Sequence, residues 1–182
     1  MKKYSFLLFS VLMVACSGIR VFDTESAPGA DFTQYKTFGF YETTAKGDTI
    51  SNLFAARLDI LKESIAREMQ RRGFVQTVTN PALLINIGIS VKEQVSTRET
   101  NWATDGAPQY MGQRNYSWKS ETVETSRYRE GSVQVELVDA TQKKMLWKGV
   151  VQGIVPGKNN AVQKEAQTGM EKLFARFPVA VK

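Results

Sequence analysis

Apolar residues near the middle of the chain recur with the spacing of a helix. The recurring positions are three or four residues apart and form one stripe: Phe54, Leu58, Leu61, Ile65 and Met69. The opposite face is polar or charged, with Arg57, Lys62, Glu63, Arg67 and Gln70. Ser51 or Asn52 can cap this helix, and Gly73 can end it.

A shorter periodicity marks the strands. Over residues 83–95, apolar side chains alternate with mostly polar ones, which is typical of a strand with one face covered. Other alternating or aromatic-rich segments predict further strands at 34–41, 117–129, 132–138 and 144–154.

A second apolar stripe near the carboxyl end predicts another helix, which begins at Asn159 or Asn160 and stops before Pro178. The order of elements is therefore strand, helix, three or four strands, helix. Consecutive strands joined by short turns should pair antiparallel. We expect an α+β fold with two layers: a mainly antiparallel sheet of four to five strands, and two helices packed on one face.

The amino-terminal residues have the organisation of a secretory signal. Lys2 and Lys3 precede an apolar run over residues 4–15, which as a helix would rise about 18 Å, well short of the roughly 30 Å of a bilayer core. This predicts a signal peptide rather than a membrane span. The run ends in small residues directly before Cys16, as in the lipobox of bacterial lipoproteins. We therefore expect Cys16 to become the first mature residue and to carry acyl chains, the alternative being an ordinary signal with a chance cysteine.

These features predict a signal peptide over residues 1–15, a tether over 16–30 and a single α+β domain over 31–178. Ser17 follows the cysteine where lipoproteins kept in the inner membrane often have Asp. This favours the outer membrane, with the domain facing the periplasm or, as an alternative, exposed at the cell surface.

Composition removes several kinds of chemistry. The 182 residues include one cysteine and no histidine, so disulfides within the chain and catalytic pairs that need histidine are excluded. The net charge of +6 is weak for nucleic-acid binding and fits solubility equally well. We find no phosphate-binding loop and no metal-ligand cluster, and we expect a protein that is not an enzyme, with no cofactor, no metal and no nucleic-acid partner.

Several short motifs together resemble a family of bacterial envelope lipoproteins known as domain of unknown function 4136. The motifs are DFTQYKTF at 31–38, RGF at 72–74, PALLI at 81–85, VELVD at 135–139, LWKG at 146–149 and FP at 177–178. The resemblance covers most of the mature chain and implies an envelope location and a shared fold. It implies no activity, ligand or catalytic residue, and it carries over no functional position except the lipidated Cys16.

A polar segment around residues 97–118 contains aromatic side chains that are candidates for contact with a partner: Trp102, Tyr110, Tyr116 and Trp118. Aromatic faces suit binding surfaces. The alternative is a loop that folds these side chains back over a sheet edge. A third tryptophan, Trp147, lies among apolar neighbours in a predicted strand, so we expect it in the core.

Four acidic side chains and four basic side chains are further candidates for a site. Two of Glu121, Glu124, Glu136 and Asp139 would have to converge in a cleft to act as a hydrolase pair, and a solvated sheet face is the simpler interpretation. The basic side chains of the first helix are likewise interpreted as a solvated face: Lys62, Arg67, Arg71 and Arg72.

Three functional hypotheses remain open. The first is an outer-membrane-anchored lipoprotein with a non-catalytic periplasmic domain that binds or scaffolds another component of the cell envelope, a protein or the cell wall. The second is a carboxylate-dependent hydrolase or lyase acting on cell-wall material. The third is a carrier of a small ligand or lipid, which requires an apolar pocket between the sheet and the helices.

Overall fold

The computed structural model of the protein describes residues 18–41, 52–106 and 119–182. Their strands are β1 (Arg20–Ser26), β2 (Thr37–Phe40), β3 (Val75–Gln76), β4 (Leu83–Glu99), β5 (Thr122–Asp139) and β6 (Met145–Ile154). Their α-helices are α1 (Asn52–Gln70) and α2 (Asn159–Phe174). Two short helical turns are 3-10 (Phe32–Gln34) and π-helical (Trp102–Gly106).

The sheet is mixed, because one crossover changes the direction of pairing. Among the described residues, six strands pair in the order β1-β6-β5-β4-β2-β3. β6 is antiparallel to β1 and β5, and β5 to β4, whereas β2 runs parallel to both β4 and β3. Helix α1 connects β2 to this part of the sheet and returns the chain to the end where β2 began, so the next strands run in the same direction. The expectation of a mainly antiparallel sheet of four to five strands is therefore wrong.

Strand β1 lies within residues 16–30, which the sequence led us to expect as a tether. It pairs with β6, and the register shifts between Phe22 and Glu25. Asp23 lies in that shift with φ of 51°. Such a bulge interrupts the alternation of side chains, so the segment shows no period of two. Across the pair, Lys148 Nζ lies 2.8 Å from Glu25 Oε2.

Strand β5 is continuous where the sequence predicts two strands on either side of Gly131. The ladder passes through this residue without interruption, with Val91 opposite it on β4 and Gly153 opposite it on β6. A Cβ atom at Gly131 would lie only 2.7 Å from Val155 Cγ2. The glycine therefore permits a close approach within the sheet and does not end the strand.

The core is densest between the sheet and the carboxyl-terminal halves of the two helices. Trp147 on β6 is 1% exposed, which confirms its predicted place in the core. Its ring centroid lies 5.5 Å from that of Phe174 and 5.2 Å from that of Phe177. We refer to these three residues as the aromatic cluster. Helix α1 contributes Ile65 and Met69, both fully buried, to the same core.

A buried ion pair connects the ends of the two helices. Arg72 Nη1 donates to Glu68 Oε2 at 2.6 Å, and both residues are buried. The same guanidinium donates from Nη2 to the Phe174 carbonyl oxygen at 2.8 Å and from Nε to that of Val179 at 3.0 Å. The interpretation of Arg72 as part of a solvated helix face is therefore wrong. Its donors satisfy carbonyl groups at the end of α2 and in the carboxyl-terminal segment.

The two long strands extend well beyond the helices. β4 has 17 residues and β5 has 18, so each is roughly 56–60 Å long. Helix α1, with 19 residues, is only about 28 Å long. Residues 92–99 and 122–129 consequently form a two-stranded projection with mostly exposed side chains. We call this projection the hairpin arm.

The substitution Arg72→Ala tests the buried ion pair, with Arg71→Ala as its matched control. Removing Arg72 leaves the buried Glu68 carboxylate with Arg71 alone, so we expect a loss of about 3 kcal/mol in the free energy of unfolding. Arg71 Nη1 also lies 2.8 Å from Glu68 Oε1, but its side chain is 49% exposed. Its removal should cost less than about 1 kcal/mol. Urea unfolding followed by circular dichroism measures both, and equal losses would contradict the assignment.

Candidate functional site

Of the aromatic residues predicted to contact a partner, the structure describes Trp102. Tyr110, Tyr116 and Trp118 lie outside the described residues, as does Cys16. Trp102 begins the π-helical turn at the free end of the hairpin arm and is 42% exposed. Contact with a partner through this segment stays a prediction.

The turn that carries Trp102 is held by one carboxylate. Arg98 on β4 donates from its guanidinium to both oxygens of Asp105. The backbone N–H of Asn101 and the hydroxyl of Thr104 also donate to Asp105. These donors, Arg98 first, hold the pKa of Asp105 well below its usual range. Because Arg98 belongs to β4, the pair fixes the turn against the end of the arm.

The four carboxylates considered for a hydrolase do not converge. Glu124 pairs with Arg127 at 2.9 Å in the hairpin arm, whereas Glu136 accepts a hydrogen bond from Asn86 at 2.9 Å. Twelve strand residues, roughly 40 Å, separate Glu124 from Glu136. Glu121 is exposed just before β5. The four carboxylates therefore do not gather at one point along β5, and Glu124, Glu136 and Asp139 each have other hydrogen-bond partners.

Asp139, the fourth of these carboxylates, stabilises a turn. Its Oδ2 accepts from the Tyr35 hydroxyl at 2.7 Å, and its Oδ1 accepts from the backbone N–H groups of Thr141 and Gln142. The hydrogen bond from the Gln142 N–H, followed by that from Tyr35, lowers the pKa of Asp139. Burial, together with the bond to Asp139, raises the pKa of Tyr35 to about 12. Oδ1 thus stabilises the turn between β5 and β6, and Oδ2 connects that turn to the segment before β2.

Within the described ranges, no group of three or more Asp, Glu, Cys or His side chains is placed to hold a metal ion. Among the described helices, none combines the length and the apolar character that crossing a bilayer requires.

An apolar cavity of about 370 Å³ lies between the sheet and the helices. It is lined by the amino-terminal half of α1 and by α2 as far as Met170, so it adjoins the core around the aromatic cluster. Its floor is the helix-facing side of β4, β5 and β6, continued by the residues that follow β6. The apolar lining includes Phe54, Leu61, Ile89, Val133, Val151 and Val162. This is the pocket between sheet and helices that the hypothesis of a small-ligand or lipid carrier requires.

Three glycines on three elements line this space. Gly131 on β5 and Gly153 on β6 are paired across the strands and add no side chains to the floor, where Val155 and Ile19 pack against them. Gly169 lies on α2, beside Val151 and Ile19. A Cβ atom at Gly169 would lie 3.5 Å from Val151 Cγ2, an ordinary van der Waals distance. Backbone packing therefore does not demand a glycine on α2, and the open volume depends on the absence of its side chain.

Charged groups lie at the margin of the cavity. Arg57, expected on the polar face of α1, lines the cavity instead. Its Nη2 donates to the Pro156 carbonyl oxygen at 3.4 Å, and its Nε is buried with no hydrogen-bond partner among the described residues. Arg129 and Glu165 also line the cavity. The charged lining therefore contains two cations and one anion.

Sequence reasoning missed this cavity, although one signal for it was present. The apolar stripe of α2 contains the small residues Ala166 and Gly169 three positions apart, before Met170. Small residues on the core-facing side of a helix leave space unless larger neighbours fill it. Whether they do depends on residues from β5 and β6, which the sequence alone does not place opposite them.

Comparison with known families identifies the domain. The model of a family described as Domain of unknown function (DUF4136) matches residues 22–179. The chain belongs to this family. The resemblance seen in the sequence is confirmed, and the DUF4136 match extends from within β1 to beyond α2, so it includes every element that lines the cavity.

Solved structures provide a likeness of fold for this DUF4136 domain. A crystal structure of a PDZ domain protein from Parabacteroides distasonis matches 91% of the chain at a TM-score of 0.52 and 14% identity. The chain spans only 38% of that protein. A PelC dodecamer from Paraburkholderia phytofirmans matches at a TM-score of 0.43 and 13% identity, over 87% of this chain and 98% of the other. None of the curated proteins matches the DUF4136 chain.

Proposed function

We propose that this protein is a lipid-anchored component of the bacterial cell envelope whose domain is a non-catalytic binding module, and that the cavity holds an apolar small ligand. The cavity is the observation that carries the proposal. Its volume of about 370 Å³ falls within the range of ligand-binding pockets, which is about 300–1,000 Å³.

The lining favours an apolar ligand over a polar one. Aliphatic side chains and three glycines form most of the wall, and the charged groups are confined to Arg57, Arg129 and Glu165. A polar ligand inside such a wall would lose hydrogen bonds to water without replacing them. An aliphatic chain loses nothing of that kind and gains from leaving water.

The amino-terminal sequence supports the anchor. Residues 1–15 have the charge, length and apolar character of a signal peptide, and small residues lead directly into Cys16. Acyl chains on Cys16 would hold the domain at a membrane. We propose the outer membrane, with the domain facing the periplasm, because Ser17 stands where Asp would favour the inner membrane.

The hairpin arm favours a second role, which is to bind another component of the cell envelope. A two-stranded hairpin without a covering layer is only marginally stable in water. Here it extends beyond the helices and carries exposed apolar side chains at Val95, Tyr128 and Trp102. Val95 and Tyr128 lie on opposite faces of the arm, so a partner that buries both would have to cover both faces, with the segment containing Trp102 as the first contact.

The cavity proposal is tested by filling the cavity from α2. Gly169→Leu places a side chain in the open volume, so we expect binding of the neutral fluorescent probe N-phenyl-1-naphthylamine to weaken by at least about tenfold, as expected when buried apolar contacts are lost. Gly169→Ala is the matched control, because a methyl group fits and alanine favours the helix by up to about 1 kcal/mol. Probe titration and thermal melts measure both. Undiminished binding by a folded Gly169→Leu variant would contradict the proposal.

The segment at the end of the arm is tested by replacing residues 101–120 with a two-residue Asn-Gly turn, which joins Thr100 to its partner Glu121 and suits the end of a hairpin. We expect the domain to keep its thermal unfolding midpoint, because its core lies at the other end of the sheet. Recovery of the crosslinked envelope partner from membranes should be lost. Unchanged recovery of the same partner would remove the segment that contains Trp102 from the proposed interface.

The anchor is tested by mass spectrometry of the protein purified from membranes. We expect the mature chain to begin at Cys16 and to carry the added mass of acyl chains. Cys16→Ser should abolish that mass and release the domain from the membrane fraction. An unmodified amino terminus at any other residue would contradict the anchor.

A further inference from the structure

The guanidinium of Arg57, which lines the cavity, has hydrogen-bond donors that lack partners among the described residues. Arginine carries five N–H donors and a permanent positive charge. Arg57 uses one nitrogen, at the long distance of 3.4 Å, and its Nε is buried with no partner among the described residues. Buried donors in native proteins are normally satisfied, and leaving one of them without a partner is costly. A ligand cannot reach the buried Nε, but the Nη groups of the same guanidinium, bound only weakly through Nη2 to Pro156 among the described residues, remain to donate to an acceptor in the cavity.

We propose that the cavity takes the acyl chain of an anionic amphiphile, whose carboxylate or phosphate head accepts hydrogen bonds from the guanidinium of Arg57. This inference rests on the proposed function of the cavity as a site for an apolar ligand, and it adds the charge and the orientation of that ligand. The chain lies against the aliphatic lining, and the head lies at the margin formed by Arg57 and the residues after β6.

The charges at the margin favour a single negative group. Arg57 and Arg129 supply two positive charges and Glu165 supplies one negative charge, so one positive charge remains uncompensated within this lining. No ion pair joins these three side chains to one another in the part of the chain that the structure describes. The planar guanidinium offers parallel donors that match the geometry of carboxylate and phosphate oxygens. An ammonium head would instead be repelled.

The lining also argues against a free inorganic anion. Beyond the margin, the floor is made of Ile89, Val133 and Val151 with the two paired glycines. A phosphate ion placed there would lose its hydration and find no further donors. Each methylene of an acyl chain that enters the same space gains about 0.8 kcal/mol. The charged head and the apolar chain are therefore needed together.

The test compares ligands of equal chain length on the full chain carrying Cys16→Ser, which removes the expected acylation site. Displacement of N-phenyl-1-naphthylamine is measured with hexadecanoic acid, hexadecan-1-ol and hexadecylamine. Hydrogen bonds to a charged group are worth roughly ten- to a hundredfold in affinity, so we expect the acid to bind that much more tightly than the alcohol, and the amine to bind most weakly.

Arg57→Met should abolish this preference while retaining binding of the alcohol. Arg67→Met is the matched control, because Arg67 is exposed on the same helix and does not line the cavity. It should leave the preference unchanged. Thermal melts accompany both variants. A structural role of Arg57 would lower the melting temperature without changing the ratio of acid to alcohol affinity.

The outcomes separate this inference from the proposed function. Equal binding of acid and alcohol, or a preference that survives Arg57→Met, would overturn the anionic head and leave the apolar site standing. Failure of the probe and of all three ligands to bind would overturn both.

Dioctanoyl phosphatidic acid and inorganic phosphate complete the series. Binding of the phosphatidic acid that depends on Arg57 supports a phospholipid source, binding of hexadecanoic acid alone supports a free fatty acid, and competition by phosphate without a chain would contradict the amphiphile.

Discussion

A difference in length between strands and helices governs this structure. A strand advances about 3.3 Å per residue and an α-helix about 1.5 Å. β4 and β5 have 17 and 18 residues, whereas α1 and α2 have 19 and 16. Helices of that size cover about half of such strands. The sheet therefore has a covered part, a margin where the cover ends, and an uncovered part.

Each of these parts has its own character. The covered part contains the aromatic cluster and the Glu68–Arg72 pair, where side chains fill the space and every guanidinium nitrogen of Arg72 has a partner. The margin contains the cavity, and three of its lining positions are glycine. The uncovered part is the hairpin arm. Binding is therefore proposed where the cover thins or ends, and stability is concentrated where it is complete.

The helices and the long strand were predictable because their patterns are local. The stripes of α1 and α2 persist over several turns, and the alternation in β4 begins at Leu83, where the strand is observed to begin. The parallel pairing of β2 depends on a crossover, which no local pattern contains. β1 was missed because the bulge at Asp23 interrupts its alternation, and Gly131 resembled a break because its close neighbour, Val155, lies 24 positions later.

The candidate site was less predictable than the fold for a related reason. Arg57 lies on α1 and Arg72 lies two residues beyond its end, both at positions that a helical pattern assigns to solvent, yet their long side chains reach buried surroundings at either end of the helix. Arginine can bury its aliphatic stem and direct its charged end elsewhere, so its position on a helical wheel does not decide its environment. Glycines on three elements line the cavity, and no local pattern in the sequence brings these elements together. The exposure of Trp102 agrees with one of the two interpretations that the sequence left open for its segment.

Strand β1 has a consequence for how freely the domain can move. Four covalent steps separate Cys16 from Arg20, the first residue of β1, and even a fully extended chain spans at most about 14 Å over that distance. With acyl chains on Cys16, this short segment would hold the edge of the sheet close to the lipid headgroups. Ile19, which lies in the same segment, also lines the cavity. The length of a few peptide bonds would then determine which side of the domain faces the bilayer.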